Sequence, residues 1–319
     1  MLHPLNARVI AGVFLLLLLG ACATPQTKAL RSAAPAGLPA RAELSEVTFY
    51  PQEEYQCGPA TLAMVMHSEG VRVDPAQLKD FLYLPDKQGS LQVEMLATTR
   101  RYGLVAYLLQ PELRDVLTEV AVGNPVIVLQ NLGLSWYPLW HYAVVVGYDL
   151  NREEMILRSG SNQRLLLPFT TFEHTWARSQ HWAMLALPPT RIPQTAIPEN
   201  YIQSIAALEH SSPNTDVWTA YSTAIQRWPN ILLVQIAAGN HAYNHDKLSQ
   251  AEQIFLAATE RHPDSAAAFN NLAQTLSDLG KHDAALIAIH RALVIGGRLE
   301  PIMRKTLAEI EQKKREAHK

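Results

Sequence analysis

The rhythm of apolar and polar positions changes along the 319-residue chain, and each change predicts an element. A continuous apolar run over 9–19 comes first, and an Ala- and Pro-rich stretch without periodicity follows over 23–44. Such a stretch presents no consistent face to bury and is expected to be a flexible tether. Beyond Cys57, small residues lead into apolar side chains at Leu62, Met64, Val65 and Met66, and Pro59 suits a first helical turn, where a missing N–H costs little. Residues 74–83, 92–102 and 111–121 repeat apolar positions at helical spacing, whereas 124–129, 141–149 and 182–187 are short, β-prone apolar runs. Helices first and strands afterwards predict an α+β domain over 45–187. Between two of the strands, 131–140 reads as a loop rich in Trp, Tyr and Leu: either the wall of a groove or a loop capping the core.

The rhythm changes again after the Pro-rich run at 188–193, a linker taken to extend to 197. From 198 to 319 the chain is helix-forming throughout, and Ala251, Phe255, Ala258 and Pro263 recur 34 positions later as Ala285, Ile289, Ala292 and Gly297. Period and residue types resemble tetratricopeptide repeats, with small residues where paired helices touch and a bulky one between them. Two units fall at 232–265 and 266–299, a degenerate one at 198–231, and 300–319 is expected to be a polar capping helix with a solvated charged end. The resemblance implies an all-α domain whose concave face binds extended peptides or a partner protein. His241 and His245 stand one helical turn apart, but no carboxylate or further His completes a ligand set, so no metal and no cofactor is expected.

Composition narrows the function classes. A formal charge of -2 and a pI near 6.6 provide no broad basic field, so nucleic-acid binding is not expected. The apolar run at 9–19 is far shorter than the roughly 20 residues a membrane-crossing helix needs, and with Arg8 before it residues 1–22 read as a cleavable export signal. Its end, Leu19-Gly20-Ala21-Cys22, resembles a bacterial lipobox, which implies acylation of Cys22. Ala23, standing where an Asp would resemble an inner-membrane retention signal, favours an outer-membrane, periplasm-facing location, with the lipid as the only membrane contact.

With Cys22 so committed, Cys57 has no partner for a disulfide within the chain, and a lone thiol in an oxidising compartment calls for a reason. A helix beginning beside it brings partial positive charge and free N–H groups, which lower a thiol pKa and favour the thiolate. Attack on a carbonyl also needs a base, and His141, opening a β-prone run, is the candidate.

These stretches, Gln52 through Cys57-Gly58-Pro59-Ala60 and then His141-Tyr142-Ala143-Val144-Val145-Val146-Gly147-Tyr148, resemble the bacteriocin-processing group of papain-fold cysteine peptidases, family 39. The resemblance implies a papain-like α+β peptidase domain with Cys57 as nucleophile and His141 as its base. It further implies a Gln that donates to the oxyanion. Gln52 occupies the matching position, and Gln56 is the competitor. The family places an Asp about sixteen residues beyond the His, but 155–161 carries no carboxylate here. Asp149 is the tentative orienter of His141, with Ser159, Asn162 or a main-chain carbonyl as competitors. The expected function is a periplasm-facing, lipid-anchored cysteine peptidase acting on a peptide or protein, with an envelope partner at the repeats. The alternative is a catalytically silent peptide-binding lipoprotein.

Overall fold

The computed structural model describes residues 24–32, 37–52, 56–212 and 215–318, and the chain divides into two compact units. The first runs to Leu187 and takes in Pro193–Thr195, while the second comprises Pro188–Ile192 and Ala196–Lys319. The expected export signal and Cys22 lie outside the described residues. Among the described residues, no helix is long and apolar enough to cross a membrane.

In chain order the first unit contains α1 (Pro25–Ser32), β1 (Arg41–Glu43), α2 (Cys57–Ser68), α3 (Pro75–Leu82), α4 (Gln92–Arg101) and β2 (Val105–Leu108). It continues with α5 (Leu113–Ala121), β3 (Val126–Asn131), β4 (Trp140–Asp149), β5 (Glu154–Ser159), β6 (Asn162–Pro168), α6 (Phe169–Ala177) and β7 (Ala183–Leu187). The strands form one antiparallel sheet in the order β2-β7-β3-β4-β5-β6. Along one side of β4, β3 pairs Trp140–Val145 and β1 takes over at Gly147–Asp149. Helix α2 is apolar all round because it is buried all round: Leu62, Ala63, Met64, Val65 and Met66 lie within the core shared with β3 and β4. Helix α3 starts where Asp74 and Gln77 form a capping box, the Asp74 N–H donating to Gln77 Oε1 at 2.9 Å ahead of Pro75.

Two expectations change here. The stretch 23–44 is not a structureless tether in its described residues. Helix α1 is docked through the buried carboxylate of Glu173, which accepts from the backbone N–H of Gln26 (2.9 Å), the N–H of Thr27 (2.7 Å) and the Thr27 hydroxyl (2.6 Å). A carboxylate against free N–H groups at a helix start is favourable, and its donor sits nearly 150 residues away, beyond any local pattern. The linker is likewise stitched down in part, since Thr195 donates through its N–H (2.7 Å) and hydroxyl (2.6 Å) to the buried Glu119.

The second unit is helical: α7 (Pro198–Ser211), α8 (Trp218–Arg227), α9 (Leu232–Asn244), α10 (Leu248–Arg261), α11 (Ala266–Asp278), α12 (His282–Ile295) and α13 (Glu300–Ala317). The repeating positions Ala251, Phe255, Ala258, Ala285, Ile289 and Ala292 are all buried, as the period requires. Close approach of α9 and α10 depends on Gly239, where an added Cβ would stand 2.4 Å from the Phe255 ring. Helix α13 buries Met303, Thr306 and Ile310. Its charged end is not simply solvated, because Lys313 and Lys314 pair with Asp278 and Asp283.

Candidate active site

Cys57 is the first residue of α2, half-buried, with the Gln56 carbonyl accepting the Ala60 N–H at 3.2 Å to start the helix. Gly58 behind it leaves no room for a side chain: a Cβ would lie 2.3 Å from Ser90 Oγ and 2.6 Å from Ser90 Cβ. The glycine thus lets the segment carrying Ser90 close over the start of α2. Burial pushes the Cys57 thiol up, and the backbone N–H groups of Tyr142, Gly58 and Cys57 itself offset this only in part. The expected depression by the helix start is therefore outweighed by desolvation.

The Tyr142 contact locates the sulfur beside β4, one residue from His141. Tyr142 turns into the core, edge-on to Trp182 with ring centroids 5.6 Å apart, and His141 lines the same cavity as Tyr142 and Cys57. His141 Nε2 lies 2.8 Å from the hydroxyl of Ser159 at the end of β5, which leaves Nδ1 for other work. Burial pushes this imidazole down, so at neutral pH thiol and imidazole both rest uncharged.

Asp149 is not brought to His141. Eight residues further along β4, about 26 Å at strand rise, its Oδ1 accepts the N–H of Asn151 and of Arg152, both at 3.0 Å, and closes the turn into β5. Asn162 is exposed where β6 begins. Of the side chains weighed for holding the ring, Ser159 is in hydrogen-bond contact among the described residues.

Gln52 is fixed by the backbone on both sides of its amide. Nε2 donates to the Tyr142 carbonyl at 3.2 Å, Oε1 accepts the Gly160 N–H at 3.0 Å, and the Gln52 N–H donates to the Gly160 carbonyl at 3.1 Å. One Nε2 hydrogen is used; a primary amide carries two. Gln52, Cys57, His141 and Gly160 line one cavity of about 1170 Å³, whereas Gln56 is not among its described lining residues.

The loop between β3 and β4 forms one wall of this cavity through Leu132, Pro138, Leu139 and Trp140. Asn131 organises it, its Oδ1 accepting from Gly133 and Leu139 (2.9 Å each), and Leu134 and Tyr137 bridge across the turn. At the tip Trp136 and Tyr137 are 80% and 74% exposed, so the loop is a wall and not a cap on the core. Phe169, Phe172 and Trp176 are buried in the core, whereas Trp182 lines the cavity.

Residues 44–184, the span that holds all of these groups, match the model of the Peptidase_C39-like family. The first unit resembles that family over this span. Residues 254–287 match a tetratricopeptide repeat model, so the second unit carries that repeat. No curated protein matches the chain. Among solved structures, a C39-like peptidase from Bacillus anthracis is 18% identical, with 46% of this chain and 97% of that chain covered and a TM-score of 0.39. The peptidase domain of Streptococcus ComA, a bi-functional ABC transporter involved in a quorum-sensing pathway, is 22% identical, with 45% and 99% covered and a TM-score of 0.38. Within the matched span Cys57 and His141 stand on elements that line one cavity, with Ser159 beside the imidazole.

Proposed function

We propose that the protein is a lipid-anchored, periplasm-facing cysteine peptidase. Cys57 attacks the carbonyl of a peptide or protein substrate, and the repeats bind that substrate or an envelope partner. The carrying observation is the placement of His141: its Nε2 is held at 2.8 Å by Ser159, on a strand whose next N–H touches the Cys57 sulfur. His141 takes the thiol proton as the sulfur attacks and returns it to the leaving amine; water then releases the acyl group by the reverse sequence. The Cys57 N–H at the helix start and the second Nε2 hydrogen of Gln52 are the donors to the oxyanion. Neutral third members are compatible with cysteine chemistry, since Ser159 needs only to fix the ring. The test is alkylation by iodoacetamide and by a papain-type epoxide at neutral pH, comparing wild type with His141→Ala. Epoxide labelling of Cys57 that disappears in His141→Ala supports the enzyme. A thiol no faster than free cysteine and indifferent to His141 sinks it.

A second reading, a silent peptide-binding domain, draws on one observation: burial drives the thiol up and the imidazole down, so no ion pair is preformed. Peptide binding without turnover in the same preparation would favour it.

A further inference from the structure

The two histidines at the end of α9 have a third companion that the sequence conceals. Glu209, near the end of α7 and 32 positions before His241, places Oε1 at 2.7 Å from His241 Nδ1 and 3.9 Å from His245 Nδ1. One ligand atom from each of Glu209, His241 and His245 lies within 4.8 Å of the other two. We propose that this cluster, in the helical unit and outside the C39-like match, is a zinc site that ties α7 to α9.

The geometry and the donor types both point to this ion. Zn²⁺ sits about 2.0–2.2 Å from imidazole nitrogen and carboxylate oxygen, which places tetrahedral donors about 3.3 Å apart; the 2.7 Å contact of Glu209 with His241 opens slightly as the ion replaces the shared proton, and His245 rotates inward from 3.9 Å. That ring is the most exposed of the three, 53% against 9% for His241 and 27% for Glu209; its Nδ1 lies 2.9 Å from the His241 carbonyl, and it packs against the His241 ring with centroids 4.3 Å apart. Two imidazoles and one carboxylate suit Zn²⁺, whereas Mg²⁺ and Ca²⁺ require oxygen donors throughout. The surroundings support the ligands as second partners of a metal site do. The Tyr221 hydroxyl donates to Glu209 Oε2 at 2.9 Å and fixes the carboxylate, while the Trp218 and Tyr221 rings lie against His241 with centroids 6.1 and 4.8 Å away. The cluster is also not a product of the repeat itself. Advancing each residue by 34 positions gives Tyr243, Thr275 and Leu279, none of which is a zinc ligand of this kind. The set therefore belongs to the junction of the degenerate first repeat with the second. With three protein ligands, a coordination position remains for water or for a group from a bound partner.

The experiment uses the untagged full chain carrying Cys22→Ser and Cys57→Ser, so that no thiol competes for metal. Calorimetric titration with Zn²⁺ is expected to give one ion per chain, Mg²⁺ to give none, and bound Co²⁺ to show visible absorption bands. His245→Ala and Glu209→Gln are expected to weaken Zn²⁺ binding at least tenfold and to remove the Co²⁺ bands, with circular dichroism unchanged. Absence of stoichiometric Zn²⁺ binding overturns the proposal, as does binding of unchanged affinity in the double variant.

Discussion

Ser159 and His141 meet across adjacent strands, hydroxyl to Nε2 at 2.8 Å, where a carboxylate would act on the ring both as an orienter and as a charge. The serine performs the first task and not the second. Ser159→Ala should leave the fold intact and lower epoxide labelling of Cys57 roughly tenfold, through loss of ring orientation. Ser159→Asp should raise the imidazole pKa, since a carboxylate at this range shifts a neighbour by about 1–3 units. Labelling at pH about 6 should then exceed that of wild type by about tenfold or more. A labelling rate unchanged in both variants would remove Ser159 from the site.

The resting charges fix the pH dependence. Burial raises the Cys57 pKa, so the thiolate fraction is small at neutral pH and grows as pH rises. The rate of iodoacetamide labelling should therefore climb from pH about 6 to about 9 without a plateau on the acid side, in contrast to a preformed thiolate–imidazolium pair. His141 is shifted the other way. A depressed folded pKa contributes stability above the ordinary imidazole range near 6.5, and that stability is lost as pH falls through the lowered value. His141→Gln should accordingly flatten the acid limb of the melting-temperature profile.

Glu173 anchors α1 through three hydrogen bonds, two of them backbone N–H groups at the helix start. Hydrogen bonds to a charged group contribute about 1.5–3 kcal/mol, and a helix of eight residues depends on such tertiary contacts to persist, here joined by those of Gln26 with Pro111 and of Arg31 with Glu153. Glu173→Ala should free α1, so that trypsin cuts at Lys28 and Arg31 before the rest of the unit unfolds. Mass spectrometry of the first fragments decides this, and cleavage at the wild-type rate would show that other contacts hold the helix.

Gly239→Ala places a methyl group against the Phe255 ring, which is wholly buried. Overpacking of this kind costs about 1–3 kcal/mol. The double variant with Phe255→Leu should recover part of the loss in urea unfolding, and no recovery would mean that the clash is relieved elsewhere.

How much was legible beforehand follows from where each signal lies. Helix α2 and the β4 strand are apolar runs, and the helical unit declares itself by recurrence at Ala251 and Ala285. Cys57, His141 and Gln52 are recognisable because each sits in a short motif. Helix α1 and strand β1 were missed because their partners, Glu173 and Gly147–Asp149, are more than a hundred residues away. The role of Asp149 was misassigned because eight residues of strand lead away from the ring, while the hairpin brings Ser159 back to it. Glu209 joins His241 only after two helices pack, and the protonation state of Cys57 depends on desolvation, which no local pattern contains.

The docking of α1 also sets a length. From Cys22 to Thr24 there are two peptide steps, and an extended chain covers at most about 7 Å in that span. A lipid on Cys22, as proposed, would leave Gln26 and Thr27 still clasped by Glu173. The peptidase would then ride at the bilayer surface on a stub and not on a leash, and would sweep only a shallow layer of periplasm. Its range of targets would be decided by height above the membrane before any side chain in the cavity came into play.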